Sequence, residues 1–91
     1  MDAFYGLPFG SLLKNVSART GKNIKGAQIF KVTKKGQNLK KGDHYYLDTL
    51  HGDHLEVFDK NGKFLKVLNL DGTENAAKTA AAVGRSIKKH L

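Results

Sequence analysis

Apolar and polar side chains alternate along the middle of the chain. From His44 to Thr49, Tyr45, Leu47 and Thr49 fall on one side and Tyr46 and Asp48 on the other, the two-residue period of a strand. Leu55 to Phe58 repeats the pattern, with Leu55 and Val57 opposed to Glu56 and Phe58. Asp59-Lys60-Asn61-Gly62 predicts a hairpin turn, because Asn-Gly accepts positive φ at little cost. Phe64 to Leu68 is then the returning strand, closed by Asn69-Leu70-Asp71-Gly72. Upstream, Gln28 to Thr33 is rich in β-formers and reads as a further strand.

The flanks follow other patterns. Leu12, Leu13 and Val16 are spaced as on a helix behind Ser11, which suits an N-cap, so a short helix is expected from Ser11 through about Thr20. Residues 1–10 hold Phe4, Tyr5, Pro8, Phe9 and two glycines, and read as an irregular arm packed onto the domain. In the alanine-rich tail, Ala76, Ala80, Val83, Ile87 and Leu91 make one apolar stripe, so residues 73–91 predict a C-terminal helix capped by Thr73 and weakened at Gly84. Helix, strand, three-strand meander and helix describe a single α+β domain over residues 1–91, with a small twisted antiparallel sheet.

Charge changes the picture from fold to partner. The chain has 91 residues, a net charge of +8 and a pI near 9.8, which favours a polyanionic partner: nucleic acid, an anionic membrane or an acidic protein. Residues 1–43 hold nine Lys or Arg against two Asp or Glu, residues 44–72 three against five, and residues 73–91 four against one. A module that only binds RNA has no use for carboxylates near phosphates, whereas a hydrolase uses them to move protons. The absence of cysteine excludes disulfides, thiolate catalysis and cysteine-ligated zinc. No signal peptide or membrane-spanning run is read in the sequence, and a monomer is expected.

The acidic centre also carries histidine. RNA cleavage by its own 2′-hydroxyl needs a base, an acid and a cation to stabilise the phosphorane. Asp48, His51 and Glu56 converge at the mouth of the expected hairpin, and Arg85 lies off the apolar stripe of the tail. Asp48 is placed to orient His51 and hold it charged. His44, His54 and His90 read as surface residues. The spacing of His51 and His54 with Asp48 and Asp53 fits no strong zinc pattern, so neither metal nor cofactor is expected. Lys34, Lys35, Lys40 and Lys41 form a basic loop suited to the RNA backbone, with Lys88 and Lys89 near the end of the chain. Tyr46 is either strand packing or a platform for base stacking.

These residues carry a family resemblance. Tyr45, Asp48, His51, Gly52, Leu55 and Glu56, followed by a hairpin and then by Arg85, Ile87, Lys88, Lys89 and Leu91, resemble the colicin-type ribosomal RNases, the cytotoxic domains of cloacin and the E-group colicins. The likeness covers roughly the C-terminal half. It implies a twisted antiparallel sheet, cleavage of small-subunit ribosomal RNA at the decoding site, and protection of the producing cell by an acidic immunity protein. It also implies roles: Glu56 as general base, His51 as acid or charge stabiliser, Asp48 orienting His51, and Arg85 holding the phosphate.

The chain departs from the pattern in two places. One extra residue, His54, separates His-Gly from Leu-Glu, which leaves open whether Asp53, His54 or Glu56 takes the glutamate's place. The alanine-rich helix replaces the family's proline-containing basic approach to the terminus. The expectation is therefore a toxin ribonuclease, secreted or displayed as the C-terminal part of a larger toxin and acting in the cytoplasm of a target bacterium. A tRNA-cleaving toxin and a non-catalytic RNA-binding or ribosome-associated domain are the alternatives. A DNase toxin lacks the metal-binding histidine motif it would need.

Overall fold

A computed structural model describes residues 2–48 and 54–91. Among these, five strands form one antiparallel sheet in chain order: β1 (Ser17–Ile24), β2 (Ala27–Val32), β3 (His44–Leu47), β4 (His54–Phe58) and β5 (Phe64–Asn69). Two helices precede the sheet, α1 (Asp2–Tyr5) and α2 (Pro8–Asn15), and α3 (Ala76–Ala81) follows it. The fold is α+β, as the alternation and the flanking helical patterns imply.

Strand parity divides the interior into two cores. Odd-numbered residues of β3 and β4 share one face with Phe30 and Val32, where Tyr45, Leu55 and Val57 pack against Phe4, Phe9 and Leu13 of the first two helices. Tyr45 is fully buried there, and its hydroxyl hydrogen-bonds those of Ser17, at 2.7 Å, and Tyr5, at 2.9 Å. The opposite face holds Ile29, Phe58, Phe64, Val67, Ala82 and Ile87. All five residues of β4 are buried, including His54 and Glu56, which lie on the same face as the second core.

Three expectations at the flanks are corrected. Within the arm expected over 1–10, residues 2–10 are not irregular: they form α1 and the start of α2, because Pro8 suits a first helical turn and Phe4 and Phe9 bury themselves on the sheet. The helix expected through Thr20 stops at Asn15. The Ser17 hydroxyl donates to the Leu13 carbonyl at 2.7 Å, and residues 17–24 pair with β2 as a mostly exposed edge strand with a register shift between Arg19 and Asn23. The helix expected over 73–91 runs only from Ala76 to Ala81. Its N-cap is Asn75, whose side chain accepts the Lys78 N–H at 3.0 Å.

The break after α3 positions the end of the chain. Gly84 has φ +95°, and Val83 is 75% exposed and not part of a buried stripe. Beyond it, residues 85–87 run beside the β4–β5 turn. The Ile87 N–H donates to the Gly62 carbonyl at 2.9 Å, and the Phe64 N–H donates to the Arg85 carbonyl at 3.3 Å. Ile87 drops into the second core, and a 3₁₀ turn, Lys88–His90, ends the fold. Gly62 itself has φ +86°, and a Cβ there would lie 2.7 Å from the Lys88 nitrogen.

Gly62→Ala therefore combines backbone strain with a clash. We expect a loss of about 1–3 kcal/mol of stability, readable by urea denaturation, together with loosening of residues 85–90 in hydrogen exchange. The same turn is tuned by acid. The backbone N–H of Lys63, at 2.9 Å, and then that of Asn61, at 2.8 Å, hold the Asp59 carboxyl below its ordinary range. A carboxyl whose pKa is lowered by folding stabilises the fold above its unfolded pKa, and that contribution is lost as pH falls through the folded value. Asp59→Ala should lower the Tm by a few degrees at neutral pH and flatten the acid decline in stability below about pH 4.

Candidate functional site

The antiparallel register brings the site together. Tyr46 pairs directly with Glu56, Leu47 with Leu55, and the Asp48 N–H donates to the His54 carbonyl at 3.1 Å. Tyr46, Asp48, His54, Glu56 and Phe58 share parity, so all five lie on the face of the sheet away from α1 and α2. They are joined there by the end of the chain. Tyr46, Asp48, Glu56, Phe58, Arg85, Ser86, Lys89 and His90, with Ile24 and Lys25 of the β1–β2 hairpin, line a cleft of about 720 Å³.

Two charge pairs organise the floor. Arg85 Nη1 donates to Glu56 Oε1 at 2.7 Å. The Glu56 side chain is 3% exposed and that of Arg85 55%, so a buried anion is held by a largely exposed cation. That hydrogen bond, and then the charge of Glu56, raise the Arg85 pKa further above its ordinary value. Beside it, His54 Nε2 lies 3.0 Å from Asp48 Oδ2. A carboxylate at this distance orients the ring.

Tyr46 completes the floor. Its ring stacks on Phe58 with centroids 5.8 Å apart and planes at 15°. Burial raises its pKa, followed by the charge of Glu56 and hydrogen bonding to that carboxylate. The phenol therefore stays protonated throughout the physiological range.

The ligand atoms of Asp48, His54 and Glu56 lie within 4.8 Å of one another, a spacing within reach of a cation. In this arrangement Arg85 already supplies the positive charge at Glu56, and His54 is paired with Asp48. The chemistry on display is that of carboxylate, imidazole and guanidinium, able to take a proton, return one and hold a phosphate.

The expected residues are distributed unevenly. Asp48, Glu56 and Arg85 meet in the cleft with Tyr46 and Lys89. His51 and Asp53 lie outside the described residues. Lys34, Lys35, Lys40 and Lys41 are exposed, and none of them lines the cleft; Lys35 instead borders a groove beside α2 with Phe9, Leu12 and Leu13. Lys88 faces a second groove, next to Phe64, Leu65 and Val83.

Of the three histidines read as surface residues, His54 and His44 need correction, and His90 does lie at the surface. His54 is 5% exposed, because its position in the alternation turns it inward beside Glu56. His44 is buried as well, with Nδ1 3.1 Å from the Asp59 carbonyl. His90 is half-buried at the rim of the cleft. The signal for His54 was parity: in strands that pair Tyr46 with Glu56, residue 54 falls opposite residue 48. Lys25 and Ser86 carried no such signal, since only the tertiary fold brings them to the cleft.

No protein-family model matches the chain, and neither a curated protein nor a solved structure matches it.

Proposed function

We propose that the chain is a metal-independent endoribonuclease of the toxin type, with Glu56 as its general base. The observation that carries this reading is the buried Glu56 carboxylate, held by Arg85 at 2.7 Å in an open cleft beside the Asp48–His54 pair. A buried anion on a central strand is costly unless its placement serves something, and a fixed acid–base set in a basic protein serves RNA cleavage.

In this mechanism the Glu56 carboxylate takes the proton of a ribose 2′-hydroxyl, and the freed oxygen attacks the adjacent phosphorus. Arg85 stabilises the charge that builds on the non-bridging oxygens. The bond from phosphorus to the 5′ oxygen breaks, and His54, as general acid, donates a proton to the leaving oxygen. The products are a 2′,3′-cyclic phosphate and a 5′-hydroxyl. Asp48 keeps the His54 ring oriented. His54 here takes the part that the family resemblance assigns to His51, on the strength of its contact with Asp48. Lys25, Lys89 and His90 surround the cleft with groups suited to the RNA backbone.

Small-subunit ribosomal RNA is the favoured target, following the resemblance, and tRNA the second. Delivery as the tip of a larger secreted or cell-surface toxin, and neutralisation by an acidic immunity protein, belong to the same proposal. Among the described residues no helix is long and apolar enough to cross a membrane.

Brief expression in bacteria, followed by mapping of new RNA 5′ ends, tests the reading. A dominant cut in small-subunit ribosomal RNA is expected, unaffected in vitro by EDTA and reduced about 10³-fold or more in Glu56→Gln. A dominant cut in tRNA moves the target and keeps the enzyme. Intact RNA with normal growth would leave only a binding module. Lys89 is expected to act through charge alone: Lys89→Gln should weaken RNA binding for every sequence and reduce the slope of log affinity against log salt by about 0.7.

A further inference from the structure

Tyr46 was expected either to pack in its strand or to stack on a base, and its position suits neither role alone. It sits directly across the β3–β4 ladder from Glu56, on the same face, and both residues line the cleft. Opposed residues on paired strands place their Cβ atoms about 5 Å apart, so the two side chains are direct neighbours. The Tyr46 ring is stacked on Phe58. Arg85, from the terminal segment, donates to Glu56 at 2.7 Å, and the Glu56 carboxylate opposes ionisation of the Tyr46 phenol beside it.

We propose that Tyr46 is a positioning residue for Glu56: its hydroxyl holds the carboxylate in the orientation from which it accepts the 2′ proton. The proposal rests on the ribonuclease reading and adds to it a residue that acts on the general base without touching the reacting atoms. Arg85 cannot do this alone, since a single donor at one oxygen leaves the carboxylate free to pivot about that contact. The guanidinium is also more than half exposed and is the group that must engage the phosphate. A donor fixed in the sheet stays in place when Arg85 turns to substrate. Phe58 sets the angle of the ring, and burial together with Glu56 keeps the phenol protonated, so Tyr46 donates at any pH at which RNA is handled.

Two variants separate positioning from stacking. Tyr46→Phe keeps the ring on Phe58 and removes only the hydroxyl. On a short RNA containing the mapped cut site, it should lower kcat about ten- to a hundredfold while KM stays within about twofold. Tyr46→Leu, which removes the ring, should lower kcat at least as far. The contact itself is read without turnover by NMR of ¹³Cζ-labelled tyrosine, with the Tyr46 signal assigned by its absence in Tyr46→Phe. In Glu56→Gln the Tyr46 phenol should titrate at lower pH than in the wild type, because the carboxylate that opposes its ionisation is gone.

Equal kcat in Tyr46→Phe and the wild type would overturn the proposal and leave the ribonuclease standing, as would a Tyr46 titration unmoved by Glu56→Gln. A rise in KM alone, shared by both variants, would make Tyr46 a base platform. A wild-type chain that leaves every RNA intact would overturn both readings together.

Discussion

The contact between Glu56 and Arg85 governs how the rest of the molecule is arranged. β4 is buried along its whole length, so a carboxylate at its centre must find a positive partner or be expelled from the fold. Among the described residues, β3 and β5 carry no Lys or Arg on that face. The cation comes from the end of the chain, and bringing it there requires α3 to stop early, Gly84 to turn and residues 85–87 to lie along the β4–β5 turn. A helix continued through residue 91 would bury Val83 and carry Arg85 elsewhere. The short α3 and the irregular terminal segment thus answer an electrostatic demand made by the sheet.

The two faces of the sheet divide the work. One is closed by α1 and α2 over an apolar cluster of Phe4, Phe9, Leu13 and Tyr45, with its hydroxyls hydrogen-bonded among themselves. The other is closed only in part by α3 and Ile87, and the remaining opening is the cleft. Packing is most complete where it is structural and least complete where the polar groups gather. Because successive residues of β3 and β4 alternate between these faces, a single ladder supplies both the core and the site.

How much could be read beforehand follows from the same geometry. The meander from His44 to Leu68 was legible because alternation and Asn-Gly turn chemistry are local. Its pairing placed Asp48 and Glu56 on one face, and the structure agrees. β1 was not legible: Ser17, Ala18, Arg19 and Thr20 are polar or small residues of an edge strand, and the helical spacing of Leu12, Leu13 and Val16 masked where the helix ended. The burial of His54 was hidden by its neighbours, since the residues before it break the alternation. The extent of α3 was overread because a stripe of small apolar residues fits a helix whether or not tertiary contacts prefer a turn. Arg85 was singled out by its place off the apolar stripe and by the family pattern, but its pairing with Glu56 was not, since a contact between residues 29 positions apart in the chain depends on how the tail docks.

The placement of α1 has a bearing on how the two sides of the sheet can be approached. α1 lies over the back of the sheet, with Phe4 in the core opposite the cleft. The helical layer and the mouth of the cleft therefore lie on opposite sides of the sheet. Whatever covers the helices leaves that mouth open, so the two faces can be engaged independently.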